Sequence, residues 1–189
     1  MIDRLSVDEW GLRLAEITAT RGTCLRRNVG CVLLDERGHV LATGYNGVAA
    51  GQPHCNASAQ GWEHIVVTLA AQEHHLAKEV TRHPHACPGA GAPSGTNLAG
   101  CEAIHAEANA LLQCHDVGAI RTCYTTVSPC TECIKLLMNS GCTRIVFRNF
   151  YAHRTMDYWT ARPHPWLKVP RTYHHIPGAF NNARINTPD

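Results

Sequence analysis

The chain predicts an α/β or α+β layered domain, a mixed sheet with helices on its faces. Three observations predict it. Apolar segments switch between helical and strand spacing in the order helix, strand, strand, then helix, strand, helix, strand after a long interruption. Two motifs rich in ligating side chains, His105-Ala106-Glu107 and Pro129-Cys130-Thr131-Glu132-Cys133, stand where helices begin. The second directly follows a strand, so its helix starts at the carboxyl edge of the sheet, where open sheets bind ligands.

With 189 residues and 44% hydrophobic content, the chain has the material for one domain with a real core and an insertion at about 50–100. A formal charge of +2, a pI near 8.1 and the lack of a long basic run do not indicate bulk nucleic-acid binding. Met1-Ile2-Asp3-Arg4 starts no signal peptide, and no apolar run reaches membrane-spanning length. Ten cysteines and thirteen histidines in such a chain suggest metal ligation in a reducing, cytoplasmic setting rather than disulfides.

Ser6-Val7-Asp8-Glu9 is a capping box, and Val7, Trp10, Leu14 and Ile17 follow at helical spacing. The spacing predicts a helix over 6–20 with that stripe in the core. A loop, Thr23 to Asn28, leads into a β-branched strand over 29–34. Asp35-Glu36-Arg37-Gly38 turns the chain, and 39–44 returns as the partner strand. Gly44-Tyr45-Asn46-Gly47 ends it. Glycines there admit a close ligand, yet Asn-Gly is also a common plain turn, and the pattern alone favours the turn.

Residues 50–100 break the rhythm. Ile65, Leu69, Leu76 and Val80 suggest one helix over 62–80, and 83–100 reads as a loop rich in Gly, Pro, His and Ala. A loop of that length needs a function or something that ties it down. Helical spacing resumes over 101–114, a strand over 120–127, a helix over 129–139 with Gly141 as its C-cap, and a strand over 143–147. From 150 to 189 aromatics mix with prolines and histidines without a period. This predicts an irregular extension packed on the domain or on a neighbouring subunit, with a loose end over 181–189.

Cys130 and Cys133, at i and i+3, share one helix face. Pro129 suits the first turn, and the helix dipole favours thiolates there. With His105 they make three ligands and leave one tetrahedral position open, the catalytic kind of zinc site. Glu107 lies about 200° from His105 around an ideal helix, so both face one pocket only if the ligand sits over the helix tip. Two helix N-termini should therefore converge on one Zn2+, with Glu107 beside it as a proton-transfer group and not a ligand. A closed structural staple usually draws on two ligand pairs and has no need of Glu107. Cys24, Cys55, Cys87 and Cys101 are candidates for a second, structural Zn2+. His54, His83, His85 and Glu102 compete as ligands, and buried free cysteines would explain the four without metal.

Over about residues 5–151 the chain resembles the deoxycytidylate deaminase family. The likeness is carried by Cys24-Leu25-Arg26-Arg27-Asn28-Val29-Gly30, Gly44-Tyr45-Asn46-Gly47, Pro53-His54-Cys55, Ile104 to Ala110 and Tyr124 to Cys133. The His-x-Glu and Pro-Cys-x-x-Cys pair belongs to zinc deaminases at large; the other segments narrow it to the nucleotide branch. The resemblance implies the three-layer cytidine-deaminase-like fold and hydrolytic deamination of dCMP to dUMP for thymidylate synthesis. It implies zinc on His105, Cys130 and Cys133, with Glu107 as proton shuttle. Asn46 would contact the sugar, Ala106 N–H and the Ser128 carbonyl would read the pyrimidine, and Arg26, Arg27, Asn28 and Tyr151 would hold the 5′-phosphate. Many relatives are hexamers activated by dCTP with Mg2+ and inhibited by dTTP, which implies an effector site at Gly44, Tyr45, Asn46 and Gly47. Positions matching Cys24 and Cys55 carry a second metal in zinc-rich relatives.

Two departures stand out. The turn continues Gly47-Val48-Ala49-Ala50-Gly51 without the usual proline, which loosens the loop an effector would use. The C-terminal region also lacks the glycine-led final strand expected after the fourth. The alternatives are a deaminase of dCTP, of C5-modified dCMP, of cytidine or of an RNA base, and a non-catalytic zinc-stapled binding module.

Overall fold

The structure, a computed structural model, describes residues 4–55, 57, 64–69, 76–81, 87–93, 96, 100–151 and 155–178. The expected loose end at 181–189 and the candidate ligands His83 and His85 lie outside them. The elements in chain order are α1 (Val7–Ala19), β1 (Gly30–Leu34), β2 (Val40–Tyr45), β3 (His64–Leu69), β4 (Leu76–Thr81), α2 (Ala106–Gln113), β5 (Thr122–Val127), α3 (Thr131–Met138), β6 (Arg144–Asn149), α4 (Thr155–Thr160) and β7 (Thr172–His175). Among the described residues, five strands form one sheet in the order β2-β1-β5-β6-β7. The β1–β2 and β1–β5 pairs are antiparallel, and the β5–β6 and β6–β7 pairs are parallel. The mixed sheet with helices on both faces is the three-layer arrangement expected.

Alternation along the strands builds the two inner layers. Cys31 and Leu33 of β1, Cys123 of β5, and Ile145 and Phe147 of β6 pack with Ala106, Ala110, Ile134, Leu137 and Trp159. Val32, Leu34, Tyr124 and Val146 point the other way and pack with Leu12 and Ala15 of α1. A strand covered on both faces needs no polar alternation, which is why all five residues of β1 are buried.

The core face of α1 differs from the expected stripe. Val7, Trp10 and Ile17 are exposed, Ile17 at 71%, while Gly11, Leu12, Ala15 and Ala19 are buried. Close approach decides this. A Cβ on Gly11 would sit 2.8 Å from the Tyr124 ring, and one on Gly30 would strike the Ala15 carbonyl and the Ala19 amide. Small residues four apart let the helix backbone lie against the sheet. Charge then fixes its rotation: Arg144 donates to both oxygens of Asp8 (2.6 and 2.7 Å), and Arg148 donates to Glu9 (2.9 Å) and Glu16 (2.7 Å). Ser6 caps the helix as expected, accepting from Glu9 N–H at 3.1 Å.

Three further expectations are corrected. The segment read as a helix over 62–80 is an antiparallel pair, β3 with β4, in register from His64↔Thr81 to Leu69↔Leu76. Ile65, Val66, Val67 and Thr68 are consecutive β-branched residues, whose lost side-chain freedom in a helix outweighs the apolar spacing. The C-cap of α3 is Asn139, and Gly141 lies beyond it, its N–H bonded to Val117 O at 2.9 Å. The extension expected to be irregular holds α4 and the edge strand β7, which needs no leading glycine. Its single-residue alternation is too short to read, and β7 is exposed along its length. Trp159 is fully buried and donates to Thr172 O at 2.9 Å, joining α4 to β7.

The second close seam lies between β2 and α2. A Cβ on Gly44 would strike the Ala106 carbonyl and the Ala110 amide. Gly44→Ala is therefore expected to lower stability by about 2–3 kcal/mol through overpacking, read as a shifted urea midpoint with unchanged slope.

The Arg144 guanidinium beside Asp8 holds that carboxyl below its usual range, opposed by burial and aided by a hydrogen bond from Tyr124. A depressed folded-state pKa stabilises above the unfolded value of about 3.9 and is lost as pH falls through the folded one. Asp8→Asn should thus cost about 2 kcal/mol at pH 7. That gap from the unaltered protein should shrink as denaturation is repeated below about pH 4.

Candidate active site

α2 and α3 begin side by side. His105 is the N-cap of α2 and Cys130 the N-cap of α3, with Cys133 three residues on. His105 Nδ1 lies 3.3 Å from Cys130 Sγ and 3.4 Å from Cys133 Sγ. Tetrahedral zinc with bonds of about 2.0 Å to nitrogen and about 2.3 Å to sulfur separates such donors by about 3.5 Å. Among the described residues, this trio is the only group of three or more metal-donor side chains with all donor atoms within 4.8 Å of one another. The donor set fits Zn2+.

The trio is charged in a way that suits a metal. Cys130 is pulled down to about 3, first by a hydrogen bond from Cys133 and then by His105, against the cost of burial. His105 is pushed up to about 9, chiefly by its contact with Cys130. The Cys133 thiol is pushed up because its own proton is held in a hydrogen bond to Cys130, and burial adds to this. Those shared protons are the ones a divalent metal displaces.

Glu107 is 4% exposed, in the first turn of α2. Burial pushes its carboxyl up, opposed by its own backbone N–H and by the charge on His105. A carboxyl so placed accepts and returns a proton more readily than a solvated one.

The metal site opens into a cleft through His105 and Cys130. Arg26, Arg27, Asn46, Ala106, Ser128 and Tyr151 line it together with His105, Glu107 and Cys130. Cys24 and Cys101 line it as well. Of the residues expected at the substrate, Asn28 is not in the lining, and its buried Oδ1 is unpartnered. Gly44, Tyr45 and Gly47 are not in the lining either. Gly47 exchanges both backbone hydrogen bonds with Ile104, at 3.1 and 2.8 Å, directly before His105.

Cys24, Cys55 and Cys87 neighbour one another. A hydrogen bond from Cys55 is the main cause that brings Cys24 down to about 5, and Cys24 and Cys87 both push Cys55 up. The four candidate cysteines do not meet the 4.8 Å grouping met by the first trio.

Asn109 and Thr155 escaped the sequence reading, and Asn46 and Ser128 make positioning contacts that it did not include. Asn46 spends its amide on the arginine loop, accepting from Val29 N–H and donating to Arg27 O, both at 2.7 Å. Asn109 donates to Tyr45 O at 2.8 Å and ties α2 to the glycine turn. Thr155, buried, donates to Pro129 O at 2.8 Å just before Cys130. Ser128 Oγ accepts from Tyr151 N–H at 2.7 Å. The signal available was only that these are short polar residues near the motifs.

Residues 5–149 match the model of the cytidine and deoxycytidylate deaminase zinc-binding region. The chain is 35% identical over 141 residues to the deoxycytidylate deaminase of Mycobacterium phage D29, covering 74% of this chain and 92% of that protein. It is 29% identical over 150 residues to the Saccharomyces cerevisiae deoxycytidylate deaminase, covering 78% of this chain but 39% of the yeast protein. A crystal structure of dCMP deaminase from the cyanophage S-TIM5, in complex with dCMP and dUMP, shares the fold. Its TM-score is 0.56 at 20% identity, covering 91% of this chain and 98% of that one. No described helix is long and apolar enough to cross a membrane.

Cys133→Ser is expected to weaken zinc binding at least about 100-fold, read as metal content after dialysis against a chelator. Zinc retention should also fall as pH is lowered, because protons compete for the same three donors.

Proposed function

The chain belongs to the family of cytidine and deoxycytidylate deaminases, and from that footing we propose that it hydrolyses dCMP to dUMP and ammonia. The observation that carries the reading is the buried Glu107 beside three donors that leave a tetrahedral metal one position short. His105, Cys130 and Cys133 would hold the zinc, which when bound would supply a Lewis acid able to lower the pKa of a water toward about 7. Glu107 takes one proton from the attacking water as its oxygen bonds to C4 and passes it to N3 of the cytosine, then carries the second proton of that oxygen to the amine, which leaves as ammonia. The water oxygen ends as the carbonyl at C4. The Ala106 N–H, in the first turn where helical amides have no intrahelical partner, donates to the pyrimidine edge, and the Ser128 carbonyl accepts from it. Arg27, Tyr151 and the Asn46-braced loop face the sugar-phosphate end of the cleft.

The proposal includes a second, structural Zn2+ at Cys24, Cys55, Cys87 and Cys101. The contacts of Cys24 with Cys55 and of Cys55 with Cys87 support it. It also includes regulation by dCTP with Mg2+ and by dTTP at the Gly44–Gly47 turn. The Gly47–Ile104 and Asn109–Tyr45 bonds support this, because they would carry a push on the turn to His105.

Glu107→Gln should keep its zinc and lose turnover of dCMP by about 10²–10⁴-fold. Ammonia release from dCMP, dCTP and cytidine, assayed side by side, should be fastest with dCMP. Near-normal turnover by the variant would remove Glu107 from the mechanism.

A further inference from the structure

Relying on the deaminase reading only for the identity of the substrate, we infer that Arg26 is the clamp that fastens the insertion beside the cleft, leaving the substrate's phosphate to Arg27. Arg26 Nη1 donates to Thr96 O at 2.7 Å and to Pro93 O at 3.3 Å, acceptors 70 and 67 residues further along the chain. Its guanidinium also reaches the Cys101 thiol. The contacts therefore span the insertion from residue 93 to its return at residue 101.

The insertion is built to receive this. Thr96 closes a turn on Pro93 twice, through its N–H (3.0 Å) and its hydroxyl (2.7 Å). Gly89 N–H bonds Gly100 O at 2.6 Å and shuts the base of the loop. Glu102 N–H points at Cys87 Sγ, 3.5 Å away. Arg26 ties the loop from outside it, alongside the Cys55–Cys87 contact, and Cys101 and Ala103, just past the insertion, line the cleft.

A guanidinium is donor-only, and both bonds come from Nη1, which commits that nitrogen to the two carbonyls. Arg27 lines the same cleft, and among the described residues its side chain makes no hydrogen bond or ion pair. Adjacent arginines on one loop thus divide the work: one fastens the insertion, the other meets the anion.

The test uses the zinc-loaded full chain, unaltered and as Arg26→Ala, Arg26→Lys and Arg27→Ala. A broad-specificity protease is applied, with cuts mapped by mass spectrometry. Ammonia release is measured with dCMP and with deoxycytidine. Arg26→Ala should be cut within residues 87–100 at least ten times faster than the unaltered chain, with its preference for dCMP over deoxycytidine kept within threefold. Arg27→Ala should lose that preference at least tenfold and be cut at the unaltered rate. Arg26→Lys keeps the charge but not the fork and should be cut several times faster. It carries both readouts if the alanine variant does not fold. Cutting at the unaltered rate in the Arg26 variants, or loss of the dCMP preference in them, overturns the division. If the unaltered chain releases ammonia from neither compound, the dCMP reading fails, and the cutting rates still decide the clamp.

Discussion

The site depends on one contact between backbones, α2 lying against β2 at Gly44. Ala106 and Ala110 face that glycine, and no Cβ intervenes. This closeness sets how far His105, at the helix tip, stands from Cys130 and Cys133. Side-chain packing alone tolerates shifts of several tenths of an ångström, but a metal trio does not. The glycine turn after β2 adds the lateral constraint, through the paired Gly47–Ile104 bonds and the Asn109–Tyr45 bond. The Gly44-Tyr45-Asn46-Gly47 segment, which by pattern alone reads as a plain turn, therefore braces the helix tip that carries His105.

Electrostatics in the cleft are arranged in opposition. Two helix N-termini present positive ends to one point, which favours the Cys130 thiolate and a bound nucleotide anion alike. Glu107 sits at the same point yet is buried, so its carboxyl is pushed up while its neighbour Cys130 is pulled down. Like-sized local fields thus give a permanent anion on one group and an exchangeable proton on the other. Partners make the difference: hydrogen bonds with Cys133 and His105 dominate at Cys130, and burial dominates at Glu107, though both line the cleft.

The motifs were legible because their chemistry is local: a cap position, an i,i+3 pair and a proline at the start of a turn define a helix tip whatever surrounds it. The strands β1, β5 and β6 were legible from continuous β-branched and apolar runs. The core face of α1 was not, because Gly11, Ala15 and Ala19 bury little area each and carry no hydropathy signal, while Val7, Trp10 and Ile17 do. The β3–β4 pair was misread because an apolar stripe at helical spacing overlay a β-branched run. Arg26 and Arg27 looked equivalent, since only the folded chain places Pro93 and Thr96 beside one of them.

The C-terminal residues bear on the same metal from a distance. The family match ends at residue 149, yet both ends of α3 are held by residues beyond that point. Thr155 binds the Pro129 carbonyl ahead of the helix. Arg171, 3% exposed, binds the Met138 carbonyl at 3.1 Å near its end, and the carbonyls of Arg162 and Pro163 at 2.6 and 2.9 Å. A buried guanidinium bonded to carbonyls rather than to a carboxylate is a costly group unless those acceptors are fixed. They are fixed by the buried Trp159 and His164 that lock α4 and the following loop, His164 facing Ser140 O at 3.0 Å. An eight-residue helix is too short to hold its own geometry. The cysteines of α3 are therefore held in place by a segment that carries no catalytic group of its own.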